Sequence, residues 1–180
     1  MSIREDETID EAALRIALDL DNGILPVQGP PGTGKTHLGG SVIAELVKRG
    51  KRIGVTAVSH KVIRNLLDKV VELGKEKGID LRIGHKAKMD PGDGTYLRDK
   101  NVCLAALNQG VVVGGTAWLW ADDIFEETLD YLFVDEAGQM SLTNVLTISR
   151  SARNIILLGD PQQLEQPQKG AHPEGADISA

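Results

Sequence analysis

The sequence predicts an α/β domain: a parallel β-sheet with helices on both faces. Three observations carry that reading. Short, continuously apolar runs recur along the chain, at 24–28, 52–57, 111–115, 131–134 and 154–158, as strands buried on both faces require. Segments with helical spacing of apolar residues alternate with them. Between the first run and the helical segment that follows lies the octet Gly-Pro-Pro-Gly-Thr-Gly-Lys-Thr (29–36), a strand–loop–helix junction built to take an anion.

Taken in order, residues 10–20 place Ala13, Leu14, Ile16, Ala17 and Leu18 at helical spacing, so a helix precedes the first strand. Strand 24–28 follows, then a helix over 36–48 ended by Gly50 as the residue just past its C-cap. A second strand is read over 52–57 and a helix over 59–75, with Ser59 suited to cap it. Residues 84–100 carry Gly, Pro, Asp and Lys without apolar periodicity and read as a long surface loop with freedom to move. Strands 111–115, 131–134 and 154–158 complete the sheet. Residues 1–167 form one domain on this reading. The polar tail 168–180 closes no element and looks like the truncated start of a further segment.

Composition narrows the class. A chain of 180 residues with 41% hydrophobic residues suits one soluble domain with a sizeable core. No apolar run approaches the ~20 residues of a membrane span, and the acidic start Met-Ser-Ile-Arg-Glu-Asp-Glu is unlike a secretory signal. The single cysteine, Cys103, excludes a disulfide framework, reads as a small core residue and fits a reducing, cytoplasmic setting. His37, His85 and His172 make no metal-ligand spacing with it. A net charge of −6 is the wrong sign for a freestanding nucleic-acid binder, so any such contact must use a local basic surface.

The octet is a complete Walker A loop. Gly29, Gly32 and Gly34 let the backbone curl into a nest of N–H groups, Pro30, Pro31 and Thr33 fill the free positions, and the following helix points its positive end at the same spot. Lys35 supplies a cation for the β- and γ-phosphates of ATP, and Thr36 a hydroxyl for Mg²⁺; His37 completes the predicted nucleotide-binding run. A second motif, Leu-Phe-Val-Asp-Glu-Ala (132–137), delivers adjacent carboxylates at the end of an apolar strand, where sites in open α/β sheets lie. Asp135 is placed to hold Mg²⁺ with Thr36, and Glu136 to orient and deprotonate the attacking water.

Up to this point the chain could be an AAA+ ATPase, whose loops often share the octet. Asp-Glu-Ala-Gly-Gln (135–139) followed by Gly-Asp-Pro-Gln-Gln-Leu (159–164) resembles motifs II and III of superfamily 1 DNA and RNA helicases, in the group of the nonsense-mediated-decay helicase. The resemblance covers most of residues 8–167 and implies a first RecA-like ATP-binding domain. In that family the glutamine matching Gln163 senses the γ-phosphate and joins the catalytic set with Lys35 and Glu136. Thr-Ala-Val-Ser-His-Lys (56–61) resembles motif Ia, which implies that Ser59 and His60 contact a single strand of DNA or RNA; Gly-Gly-Thr (114–116) resembles the next strand-contacting motif and adds Thr116. Trp118 and Trp120 follow it, and burial of one or both is favoured over base stacking.

The family pattern is broken in three places. Asp10 stands where relatives carry an adenine-reading glutamine; residues 61–110 leave room for only a small insertion where relatives hold a barrel or stalk; and no later helicase motif follows Gln163, so the second RecA-like domain is expected to lie outside this chain. The tail 171–176 resembles a segment of bacterial helicases fused to a RecB-like nuclease. Two other functions fit the residues: an ATP-driven switch acting on protein partners, and a nucleotide-binding module with little turnover.

Overall fold

The computed structural model describes residues 6–160. Six parallel strands lie in the order β1-β6-β5-β2-β4-β3, with β1 Ile24–Gln28, β2 Ile53–Ala57, β3 Ile83–His85, β4 Val112–Gly114, β5 Leu129–Asp135 and β6 Ala152–Gly159. Helices α1 Ile9–Leu18, α2 Lys35–Lys48 and α3 His60–Glu76 belong to the first half of the chain; α4 Lys100–Asn108, α5 Ala117–Trp120 and α6 Leu142–Ser149 to the second. The predicted parallel α/β architecture is the one observed.

Alternation along β5 explains why its sequence reads as uninterrupted apolar. Tyr131 and Phe133 enter the core shared with Ile43, Leu46, Leu66 and Leu67 of α2 and α3, while Leu132 and Val134 enter the opposite core with Trp120, Phe125 and Ile148. Successive side chains point to opposite faces, so a strand covered on both sides must be apolar at every position. Gly54 on the neighbouring strand makes the second core possible: a Cβ there would stand 2.5 Å from Leu129 Cδ1 and 3.0 Å from Trp120 Cη2.

Local signals set the helix ends. Thr8 and Glu11 form a reciprocal capping box at the start of α1. Ser59 caps α3 by accepting the Val62 N–H at 3.3 Å. Past α2, Gly50 takes φ 72° and donates to Val47 O at 2.8 Å while Lys51 donates to Leu46 O at 3.1 Å, the closing bonds of a Schellman turn.

The stretch 84–100 departs from its reading as one long loop. It contains the end of β3, and Asp99 begins α4 by accepting the Val102 N–H at 3.0 Å. The intervening segment is anchored: His85 N donates to Thr95 O at 2.7 Å, and Arg64 of α3 pairs with Asp93 at 2.6 Å. A three-residue strand is too short to leave a periodic signature, so β3 is not legible in the sequence. No barrel or stalk lies between α3 and β4, in keeping with the small insertion expected there. Among the described residues, no helix is long and apolar enough to cross a membrane.

Candidate functional site

The ends of β1, β5 and β6 bring together groups that are far apart in sequence. Gln28 of β1 is in register with Gly159 of β6, and Asp135 of β5 with Leu158. The Gly29 N–H extends the β1–β6 ladder to Gly159 O at 3.2 Å. The phosphate-loop sequence therefore emerges beside the acidic pair, one strand away.

The loop itself follows its composition. Gly32 and Gly34 adopt φ 78° and 84°, the left-handed region that favours glycine, and a Cβ on either would meet nothing within 4 Å, so it is backbone conformation and not crowding that calls for glycine there. Gly29 is needed for a different reason: a Cβ there would approach Thr33 Oγ1 to 2.7 Å. That hydroxyl donates to Pro30 O at 2.8 Å and closes the turn. Lys35 Nζ donates to the carbonyls of Gly29 and Pro30, which holds the ammonium within the loop. Gly34 stands at the N-cap of α2 and offers no side-chain cap, leaving the first-turn N–H groups to face whatever the loop holds.

Across from the loop sits a cavity of about 420 Å³ whose walls include Gly32, Gly34, Lys35 and Thr36 on one side and Asp135 and Glu136 on the other. Pro31, Gly159 and Asp160 complete the rim. The structure thus assembles the two predicted motifs about one space. Gly29, Pro30, Thr33 and His37 do not line it: the first three shape the loop, and His37 is exposed beyond it. Val62 and Asn65 of α3 form a further wall that motif reading missed. They stand three residues apart on one helix face, a spacing that carries no chemical signature of its own. Gln163 lies outside the described residues.

The acidic pair is held under tension of two kinds. Asp135 is only 5% exposed, and burial pushes its carboxyl up to about 6; the Glu136 N–H at 2.9 Å offsets this, the Glu136 charge adds to it, and Lys35 opposes it. Glu136 takes φ 52° and ψ 43°, the left-handed region that disfavours a side chain. Such strain is characteristic of sites where the surrounding fold over-determines a residue's position. A buried carboxylate beside a nest of N–H groups and a threonine hydroxyl is a donor set suited to a hard divalent cation bound with phosphate. The residues present fit Mg²⁺·ATP.

A second recess lies at the ends of β2 and β4. Ser59, His60, Thr116 and Trp118 line it together with Lys88, so the residues assigned to motif Ia and its successor do converge. Thr56, by contrast, is fully buried, and its hydroxyl has no hydrogen-bond partner among the described residues. The tryptophans divide: Trp120 is 1% exposed and donates to Val55 O at 3.2 Å, whereas Trp118 is 88% exposed. His60 Nδ1 lies 3.2 Å from His85 Nε2, a contact no spacing rule foresaw. Burial, with the charge of His60 next, pushes His85 down to about 4. Cys103 is buried, as its core role required.

A family model described as an AAA domain matches residues 10–175. The chain belongs to that family. This AAA domain is 32% identical over 147 residues to the DNA replication ATP-dependent helicase/nuclease DNA2 of Saccharomyces cerevisiae, covering 77% of the chain and 10% of that protein. It is 30% identical over 149 residues to the human protein of the same name, covering 77% of the chain and 14% of the relative. The chain therefore spans a small part of the relatives it matches. Among solved structures, the UvsW helicase from bacteriophage T4 superposes with TM-score 0.59 at 13% identity, over 89% of this chain and 55% of that one. A nuclease-deletion mutant of the type ISP restriction-modification enzyme LlaGI, solved with a DNA substrate mimic, gives 0.57 at 18% identity over 91% and 18%. At these identities the likeness is one of fold alone, the parallel α/β sheet with helices described above.

Proposed function

We propose that the chain is the ATP-binding and ATP-hydrolysing motor domain of a superfamily 1 helicase, one that couples hydrolysis to movement on single-stranded DNA or RNA. The observation that carries this is the single cavity walled by Lys35 and Thr36 on one side and Asp135 and Glu136 on the other. The similarity to helicase/nuclease sequences over most of the chain favours nucleic acid over protein as the track.

On this reading the substrate's phosphates lie against the N–H groups of the loop, and Lys35 exchanges its carbonyl partners for phosphate oxygens. The Thr36 hydroxyl and Asp135 would hold Mg²⁺, which would supply charge neutralisation on those oxygens. Glu136 accepts a proton from the attacking water, and its fixed left-handed backbone aims the carboxylate. Gln163, matched to the family's γ-phosphate sensor, reports the state of the nucleotide. Ser59, His60 and Thr116 belong to the strand-contacting surface. A second RecA-like domain is the partner that this reading calls for.

The test is ATPase turnover with and without single-stranded nucleic acid, measured on the protein and on Lys35→Ala. Stimulation by nucleic acid that disappears with Lys35 supports the reading. Turnover indifferent to nucleic acid but raised by a protein partner would replace it with a protein-remodelling switch.

A further inference from the structure

An 88% exposed tryptophan is unusual in a chain with 3% aromatic residues, since tryptophan surrenders more apolar area to burial than any other side chain. Trp118 sits on α5, two residues and about half a helical turn from the fully buried Trp120. The ring that leaves the core does so beside an open recess of about 450 Å³ that it shares with Lys86, Lys88, Arg98 and Lys100.

The charge around this recess opposes that of the whole molecule. Four cations line it against two carboxylates, in a chain of net charge −6. Both carboxylates are engaged: Asp99 caps α4 and pairs with Arg98 at 3.1 Å, and Asp122 accepts the Ile124 N–H at 3.2 Å and pairs with Lys100 at 2.7 Å. Among the described residues, Lys86 and Lys88 have no ion-pair partner. Their charges reach the recess, for both act to lower His60, after burial. The segment that bears them is fixed to α3 through Arg64 and Asp93, so the ammonium groups are presented from an anchored backbone.

We propose that Trp118, flanked by Lys86 and Lys88, forms a stacking subsite that takes one unpaired base and the phosphates on either side of it. An aromatic face open to solvent offers sequence-tolerant stacking, and the flanking cations meet the backbone of the same strand. Stacking needs a base freed from its partner, so the subsite selects single strands over duplex. The inference rests on the nucleic-acid motor reading and adds to it residues that the helicase-like motifs do not contain.

The two tryptophans make the experiment direct, because only Trp118 is exposed to a quencher. Titrating the protein with a thymidine oligonucleotide should quench its fluorescence, with a duplex of equal length quenching much less. Trp118→Ala should remove the quench and weaken single-strand binding about 5- to 150-fold, while Trp118→Phe restores most of the affinity. Lys86→Ala and Lys88→Ala should each flatten the dependence of log K on log salt by about 0.7. Circular dichroism confirms the fold of each variant. If the protein binds single strands but Trp118→Ala leaves both the affinity and the oligonucleotide-induced quench unchanged, the subsite is wrong and the motor reading stands. If no nucleic acid binds at millimolar concentrations, both fall. Equal quenching by a polyglutamate peptide would make the recess a general anion surface and overturn the proposal.

Discussion

The backbone of Gly138 lies against that of Asp160: a Cβ on Gly138 would stand 2.7 Å from Asp160 O. The turn that follows the acidic pair is thereby seated on the end of β6, and Gly159 is close as well, a Cβ there standing 3.1 Å from Gly138 N. Neither neighbour is a flexible side-chain tip. Gly138→Ala should therefore part the two turns, cost about 1–3 kcal/mol in denaturant unfolding, and lower ATPase turnover more than nucleotide affinity. A variant with wild-type stability and turnover would show that the close approach is slack.

Lys35→Ala should abolish nucleotide binding measured by calorimetry. Its ammonium is held by two loop carbonyls rather than by a carboxylate, so it can be released to phosphate at small cost. Retained affinity in this variant would remove the loop from the nucleotide site.

Asp135 and stability should oppose each other. Its carboxyl is raised to about 6 from the ordinary 3.8, so the folded protein binds the proton more tightly than the unfolded chain. The stability associated with the protonated form is fully present below about pH 3.8 and lost as pH rises through 6. Asp135→Asn, which removes the buried charge and keeps the acceptor for the Glu136 N–H, should stabilise the protein by about 1–3 kcal/mol at pH 7.5. It should also eliminate Mg²⁺-dependent nucleotide binding. Urea titrations at pH 4.5 and 7.5 decide this; a variant less stable than wild type at pH 7.5 refutes it.

His85 has the opposite sign. Held down to about 4 from 6.5, it is protonated more readily in the unfolded chain, so its contribution is intact above pH 6.5 and is lost as pH falls towards 4. His60 and Arg64 face it with positive or latent positive charge, and Asp68 and Asp93 soften the effect. His85→Gln should flatten the pH dependence of stability between pH 6.5 and 4 by about 1–3 kcal/mol. An unchanged slope would mean that the ring titrates normally.

Glu136→Gln should keep nucleotide binding and stop turnover, since the group lost acts on the attacking water. Glu136→Gly should stop turnover too, yet raise stability by up to about 1 kcal/mol, because only glycine holds φ 52° without a Cβ clash. A glycine variant that turns over ATP would remove Glu136 from the base role.

The sequence by itself determined the phosphate loop, the acidic pair and the parallel α/β class, because each is written in local terms: glycine where backbone must curl, an apolar run where both faces are covered, carboxylates where such a run stops. It also set most strand positions, from β1 at 24–28 to β6, within a residue or two at each end. The tertiary structure alone decided what local patterns do not encode. Strand order put β6 between β1 and β5 and so fixed the distance between loop and acids. Packing sent Trp120 into the core behind Gly54 and left Trp118 in water, although the two are two residues apart in one helical turn. It joined His60 to His85 across 25 positions and recruited Val62 and Asn65 to the cavity between Lys35 and Asp135. These are contacts between surfaces that meet only once the sheet is assembled, and a residue's period along the chain carries no record of the surface it will meet.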